Sequence, residues 1–337
     1  MSTATLNRAG APAPRSARPG ILHGLTWLVW RQHRAAAWTG LALLLVVVGL
    51  SVYLHHATGT YLDSHHIRDC ALFRGPRRCV EGQRAVEDYR ALYRDPAQAL
   101  LLLVTALPVL AGLFVGAPLI ARELESGTHQ LVWSQAVTRG RWLAYKLALP
   151  LLAVGLVSAV AGLSVSWMLA GAGQTTLGLY WYSPTVFMAS GPAVVSYSLF
   201  TVALGAAVGL LVRKTVTAMV LTLVGTGVVL AAFQSVRAHL LSPGERLQKD
   251  AFVAPDTTWV LDSRPATAQG HTFSNDLCMA GQDYDKCLAA KGATHEYTAF
   301  HPVSDMRGLQ FIEAGLCAAL AALLVGLTWW WLRRRTV

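Results

Sequence analysis

Long uncharged stretches alternate with short charged ones along this chain. Residues 35–54, 97–121, 147–212, 215–236 and 314–332 contain no Asp, Glu, Lys, Arg or His. A helix rises 1.5 Å per residue, so about 20 apolar residues cover the roughly 30 Å hydrocarbon core of a bilayer. The 66-residue run 147–212 is long enough for two crossings. It divides near 171–190, where Gly, Thr, Tyr and Ser accumulate. The pattern therefore predicts an all-α polytopic membrane protein with six transmembrane helices, at 35–54, 97–121, 147–170, 191–212, 215–236 and 311–332.

The segments between them complete the plan. Residues 1–20 are polar, rich in Ala, Pro and Arg, and lack the apolar core of a cleavable signal, so a disordered tail is expected. In 21–34, Ile21, Leu22, Leu25, Leu28 and Val29 recur at helical spacing beside Trp27 and Trp30. His23, Arg31 and Arg34 interrupt the run, which points to an amphipathic helix lying in the interface. An outer loop is expected at 55–96, with a solvated helix around residues 81–89. A short outer loop follows at 171–190, where Tyr180, Trp181 and Tyr182 suit an aromatic belt. The 237–310 loop is expected to form a small irregular domain, with 257–261 extended. Trp329, Trp330 and Trp331 precede a short basic tail, 333–337.

Composition agrees with the membrane reading. Hydrophobic residues make up 54% of the 337 and charged residues only 14%, against roughly 25% charged in soluble domains. The net charge of +10 raises the question of nucleic acid, but its distribution answers it. Residues 1–34, 121–146, 213–214 and the tail carry 14 bases and 2 acids, while the rest carries 14 bases and 16 acids. Excess Lys and Arg in short segments marks the cytoplasmic side. Both termini are thus expected in the cytoplasm, the chain in the plasma membrane among lipid, and no nucleic-acid partner.

Cys70 and Cys79 fall in the first outer loop and Cys278 and Cys287 in the last. Eight residues separate each pair, and in an oxidising compartment such pairs can close short loops. Cys317 reads as a packing residue. No phosphate loop, GxSxG, HExxH or GxGxxG motif occurs, so no catalytic residue is assigned and ATP hydrolysis is not expected in this chain. His55, His56, His65 and His66 near Asp63 read as exposed loop histidines, and no metal site is assigned. Ion-coupled carriers need a buried ionisable group. The candidate spans offer none except at their ends, Glu313 included, so transport must draw its energy elsewhere. Pro108 is a candidate kink, and Gly225 and Gly227 are candidate sites of close helix approach.

The segment 122–146 is the most polar stretch on the cytoplasmic side. Residues 121–126 continue the second helix, Gly127 breaks it, and 128–137 can form a short helix capped by Ser126 or Thr128. Leu131 and Gln135 share one face of that helix. Gly140 breaks the chain again before Arg141 and Lys146 re-enter the membrane. Such a helix, held between two rigid spans, is a lever on which a partner can push.

Here the chain resembles the ABC-2 type permease family. The pattern is carried by Pro118, Glu123, Gly127 and Thr128, then Arg139, Gly140 and Lys146, together with the six-helix topology. The resemblance implies a cytoplasmic coupling helix between helices 2 and 3, docked on a separate ABC ATPase subunit that binds ATP and Mg. It implies a second permease subunit, identical or related, and no cofactor in this chain. The coupling residues would be Glu123, Glu125, Gly127, Thr128, Leu131, Gln135, Arg139 and Arg141, with Glu123 paired to Arg139, to Arg141 or to the motor subunit. Export of a hydrophobic or amphipathic compound is expected. The alternative is a non-transporting sensor or resistance subunit that binds an envelope-active compound through its outer loops. No substrate contact is assigned.

Overall fold

The computed structural model describes residues 25–68, 70, 82–127, 139–249, 257–278 and 283–334. Helix α1 (Leu25–Ser64) is followed by α2 (Gln83–Ala111), a π-helical turn (Gly112–Gly116) and α3 (Ala117–Glu125), which together make one crossing. Then come α4 (Arg139–Gly171), two short helices α5 (Gln174–Leu177) and α6 (Pro184–Ala189), α7 (Gly191–Val212) and α8 (Thr215–Val236). Strands β1 (Gly244–Gln248) and β2 (Trp259–Ala266), helix α9 (Tyr284–Ala290), β3 (His295–His301) and α10 (Asp305–Arg334) complete the chain. Among the described residues, six helices are long and apolar enough to cross a membrane.

The helices outrun the uncharged runs that announced them. Residues 25–34 continue into α1 without a break, since LTWLVWRQHR holds no Gly or Pro; residues 21–24 of the expected interfacial helix lie outside the described ones. The charged stretch expected as a solvated loop helix is instead the start of α2, which passes through Pro96 unbroken. His55 and His56 lie within α1. A charge ends an apolar run but leaves the backbone hydrogen bonds intact, so helices extend into the head groups where polar side chains are solvated.

Helix α7 is the axis of the bundle. Two-thirds of its apolar window is buried (67%), against 11–39% for the other five spans. It packs against α10, α4, α3, α8, α2 and the π turn, while α1 packs on α4 and α2. The outward faces carry Leu45, Leu156, Leu163 and Val216, each more than 60% exposed. An apolar surface of this extent marks a face turned to membrane or to a partner protein.

Close approach replaces bulk in this core. A Cβ on Gly116 would stand 2.7 Å from Val202 O, and one on Gly205 would stand 2.5 Å from Ala117 N. Gly112 and Gly209 meet the facing helix as tightly. These four glycines let the α2–α3 backbone lie directly on α7. Gly225, by contrast, faces only the Leu204 side chain, and Gly227 has open space around it. Thr201 Oγ1 donates to Pro108 O at 2.6 Å and Ser158 Oγ to Ser198 Oγ at 2.8 Å, adding hydrogen bonds where water is absent.

One end of the bundle carries a small antiparallel sheet of order β1-β3-β2, with a register shift between Val260 and Asp262. Cys278 and Cys287 are joined by a disulfide beside it. Cys70 is buried and disulfide-bonded, and Cys79 lies outside the described residues. Trp181 Nε1 donates to Thr257 O at 2.6 Å, and Tyr182 stacks on Trp259, so the sheet rests on the connection before α6. We call this the sheet end. The opposite, basic end holds Arg122, Arg213, Lys214, Arg333 and Arg334.

Candidate coupling site at the basic end

Three helix ends meet at the basic end: the close of α3, the opening of α4 and the opening of α8. Helix α3 stops because Gly127 takes φ +73°, a left-handed conformation open to glycine at no steric cost. Ser126 closes the last turn, its N–H donating to Arg122 O at 3.1 Å. Thr128, Leu131 and Gln135, and with them the expected coupling helix, lie outside the described residues. Of Arg139 and Arg141 the backbone alone is described, as the first turn of α4.

Two carboxylates leave α3 in different directions. Residues two apart on a helix are rotated by about 200°, so Glu123 turns inward while Glu125 stays exposed. Glu123 forms an ion pair with Lys146 of α4, and the side chains are only 9% and 3% exposed. Lys146 also donates to Leu119 O at 3.2 Å and lies 5.4 Å from the centroid of Trp142, one turn before it on α4. Lys146 is thus a partner of Glu123 that the sequence did not point to; the Arg139 and Arg141 side chains lie outside the described ones. Lys146 is buried among protein side chains. Leu119, Ile120, Trp142, Leu143, Leu147 and Leu210 close around the pair. Trp329 packs within 3.3 Å of where a Gly140 Cβ would stand, which fixes α10 against the opening of α4.

Glu125 does different work. Its Oε2 accepts the Thr215 backbone N–H at 2.8 Å. The first four N–H groups of a helix lack partners within it, and side-chain oxygens usually fill that role from the preceding residue. Before α8 that residue is Lys214, an extended cap residue with no side-chain acceptor. The cap therefore comes from 90 residues earlier in the chain. A carboxylate at this position also faces the positive end of the helix dipole. The tight link from α7 to α8 depends on Arg213 at φ +59°, its N–H bonded to Gly209 O at 3.1 Å.

The sequence reading missed Lys146 and Thr215 as partners. A signal for the first was present: Trp142 and Lys146 stand four apart at the head of a long uncharged run, which marks one buried face. No local signal announces the second. The reading also missed buried charge at the sheet end. Glu313, expected near the start of the sixth helix, lies two turns inside α10 with no solvent exposure. Its carboxylate is taken by Arg237 and by the Tyr197 hydroxyl. Among the described residues no group of three or more His, Cys, Asp or Glu is placed to hold a metal ion.

Six helices of membrane-spanning length and a glycine-packed axis define a multi-pass membrane protein. A family model described as "ABC-2 membrane transporter related" matches residues 41–237, more than half of the chain; the chain belongs to that family. Membership makes it a membrane component of an ABC transport system, a class that works with an ATPase subunit. No curated protein and no solved structure matches the chain.

Proposed function

We propose that this chain is the transmembrane subunit of an ATP-binding-cassette exporter and that segment 122–146 docks on the ATPase. A second permease subunit completes the pathway, both termini face the cytoplasm, and the cargo is hydrophobic or amphipathic. The single observation that carries the reading is the buried Glu123–Lys146 pair. It joins the two helices that flank the docking segment into one mechanical unit, so a push on that segment reaches both. Glu125 adds a second connection, to α8. The uncharged, Leu- and Val-rich walls of the spans favour an apolar cargo.

The test is a gentle-detergent pull-down from native cells, with co-purifying proteins identified by mass. A soluble phosphate-loop ATPase recovered in about equal amount supports the proposal. Recovery of the chain alone, or with envelope proteins only, overturns it. The disulfide-closed sheet domain favours a second reading, a sensor that binds an envelope-active compound. That reading expects compound binding to the intact complex without compound movement across proteoliposomes.

A further inference from the structure

Helix α8 is held differently from its neighbours. Along its length only Ala218, Thr222, Thr226 and Phe233 are buried, three of them small and spaced by one turn. Val216, Val220, Val224 and Val228 face outward, each more than 50% exposed. This narrow seam of small side chains is where α8 packs against α7, α3 and the π turn. Its two ends, in contrast, are fixed by charged groups.

At the basic end the attachment is the Glu125 carboxylate on the Thr215 N–H. At the sheet end it is Arg237, 1% exposed, in the short turn that follows α8. Arg237 Nε donates to Glu313 Oε1 at 2.6 Å and Nη2 to Glu313 Oε2 at 3.2 Å. Its Nη1 reaches Gln234 Oε1 at 2.9 Å, and its guanidinium lies 3.8 Å from the Phe187 ring centroid. Tyr197 of α7 donates to the same Glu313 carboxylate. One residue on, Ala238 O accepts from His301 Nε2 at 3.1 Å, and His301 closes strand β3. The turn that follows α8 is therefore bonded to α10 through a two-pronged ion pair and to the sheet through one histidine.

A buried pair of this kind is a poor source of net stability, because desolvation offsets its attraction; its best-attested use is to fix one geometry. Placed at the far end of a rod about 33 Å long, it fixes where the end of α8 sits. From these observations we infer that α8 is the transmission element of the permease. Motion of α3 enters it through Glu125, and Arg237 delivers that motion to Glu313 and the sheet. Glu125 and Arg237 are positioning residues in this scheme and touch no cargo. The inference rests on the proposed ATP-driven reading, and the experiment separates the two.

Hydrogen exchange is followed by mass spectrometry in the complex purified with its ATPase, with and without ATP plus vanadate. In the native complex nucleotide changes exchange at least twofold in 122–127 and also at the sheet end, in 237–241 and β3. Glu125→Ala abolishes the sheet-end change and keeps the change in 122–127. Glu125→Gln, whose amide oxygen still accepts the Thr215 N–H, restores the sheet-end change. A full sheet-end response in Glu125→Ala overturns the inference, as does a native response confined to the basic end. If nucleotide changes neither end of the native complex, the ATP-driven reading itself fails and the inference with it.

Discussion

Lys146→Met isolates the energetic role of the buried pair. The substitution keeps the length of the side chain and removes its charge. If the pair lay in water, the loss would be about 0–1 kcal/mol. Exposures of 3% and 9% put it in the other regime, where stranding one buried charge costs about 3–5 kcal/mol. Glu123→Leu strands the ammonium instead and costs a similar amount. The double variant Glu123→Leu, Lys146→Met removes both charges of the pair and should fall within about 1 kcal/mol of the native chain, because an apolar pair of similar volume replaces a buried ion pair at little cost. Equilibrium unfolding by SDS, followed through tryptophan emission, reads all four corners of the cycle. Trp142 and Trp329 lie within the affected cluster, so they report on it directly. A Lys146→Met loss near 0.6 kcal/mol, the average for a hydrogen bond between membrane helices, refutes the argument. So does a double variant whose loss equals the sum of the singles. The same double variant should lose cargo-stimulated ATPase activity despite its recovered stability, since an apolar contact transmits force in any register and holds none.

Three further outcomes are expected. Gly205→Ala places a methyl 2.5 Å from Ala117 N and should lower stability by about 3 kcal/mol, whereas Gly227→Ala, in open space, should leave it unchanged; yield and melting in detergent compare them. Gly127→Ala meets no atom within 4 Å, so its cost is conformational alone, about 1–2 kcal/mol, and Gly127→Asn should recover most of it by tolerating the left-handed region; both are read by the SDS titration. Cys278→Ser with Cys287→Ser opens a loop closed over a sequence separation of 9. It should raise exchange in 257–301 while leaving the helices as protected as before, an effect of about 2–3 kcal/mol on the sheet.

Much of this architecture is legible in the sequence because the bilayer imposes it. Charge-free runs of bilayer length find the spans, and Gly127 follows a run of helix formers at a polar boundary, where a chain reversal is needed. Cys278 and Cys287 are near neighbours in a loop rich in Pro and Gly, so their pairing is a local matter. What escapes is whatever depends on partners distant in sequence. The spacing of Trp142 and Lys146 marks a buried face but does not name Glu123 as the partner on it, and the cap on Thr215 from Glu125 has no periodicity to read. The glycine seam is an intermediate case. Gly112 with Gly116, and Gly205 with Gly209, each stand four apart and so share one helix face, the spacing that lets membrane helices touch. Gly225 and Gly227 stand two apart and point to opposite sides. Gly225 and Gly227 were singled out in the sequence, and the four glycines whose spacing makes the contact were passed over.

The π turn at Gly112–Gly116 sets the aim of everything beyond it. Closing a hydrogen bond over five residues instead of four accommodates one extra residue. One residue is about 100° of rotation in an α-helix. The faces of α2 and α3 are therefore out of phase by about a quarter turn, although they belong to one crossing. Removing a single residue from this turn would leave the span long enough for the membrane and as apolar as before. It would also swing Glu123 away from Lys146 and carry Glu125 off the opening of α8. The segment proposed above to dock on the ATPase would then follow a helix facing the wrong way, joined neither to Lys146 nor to the opening of α8.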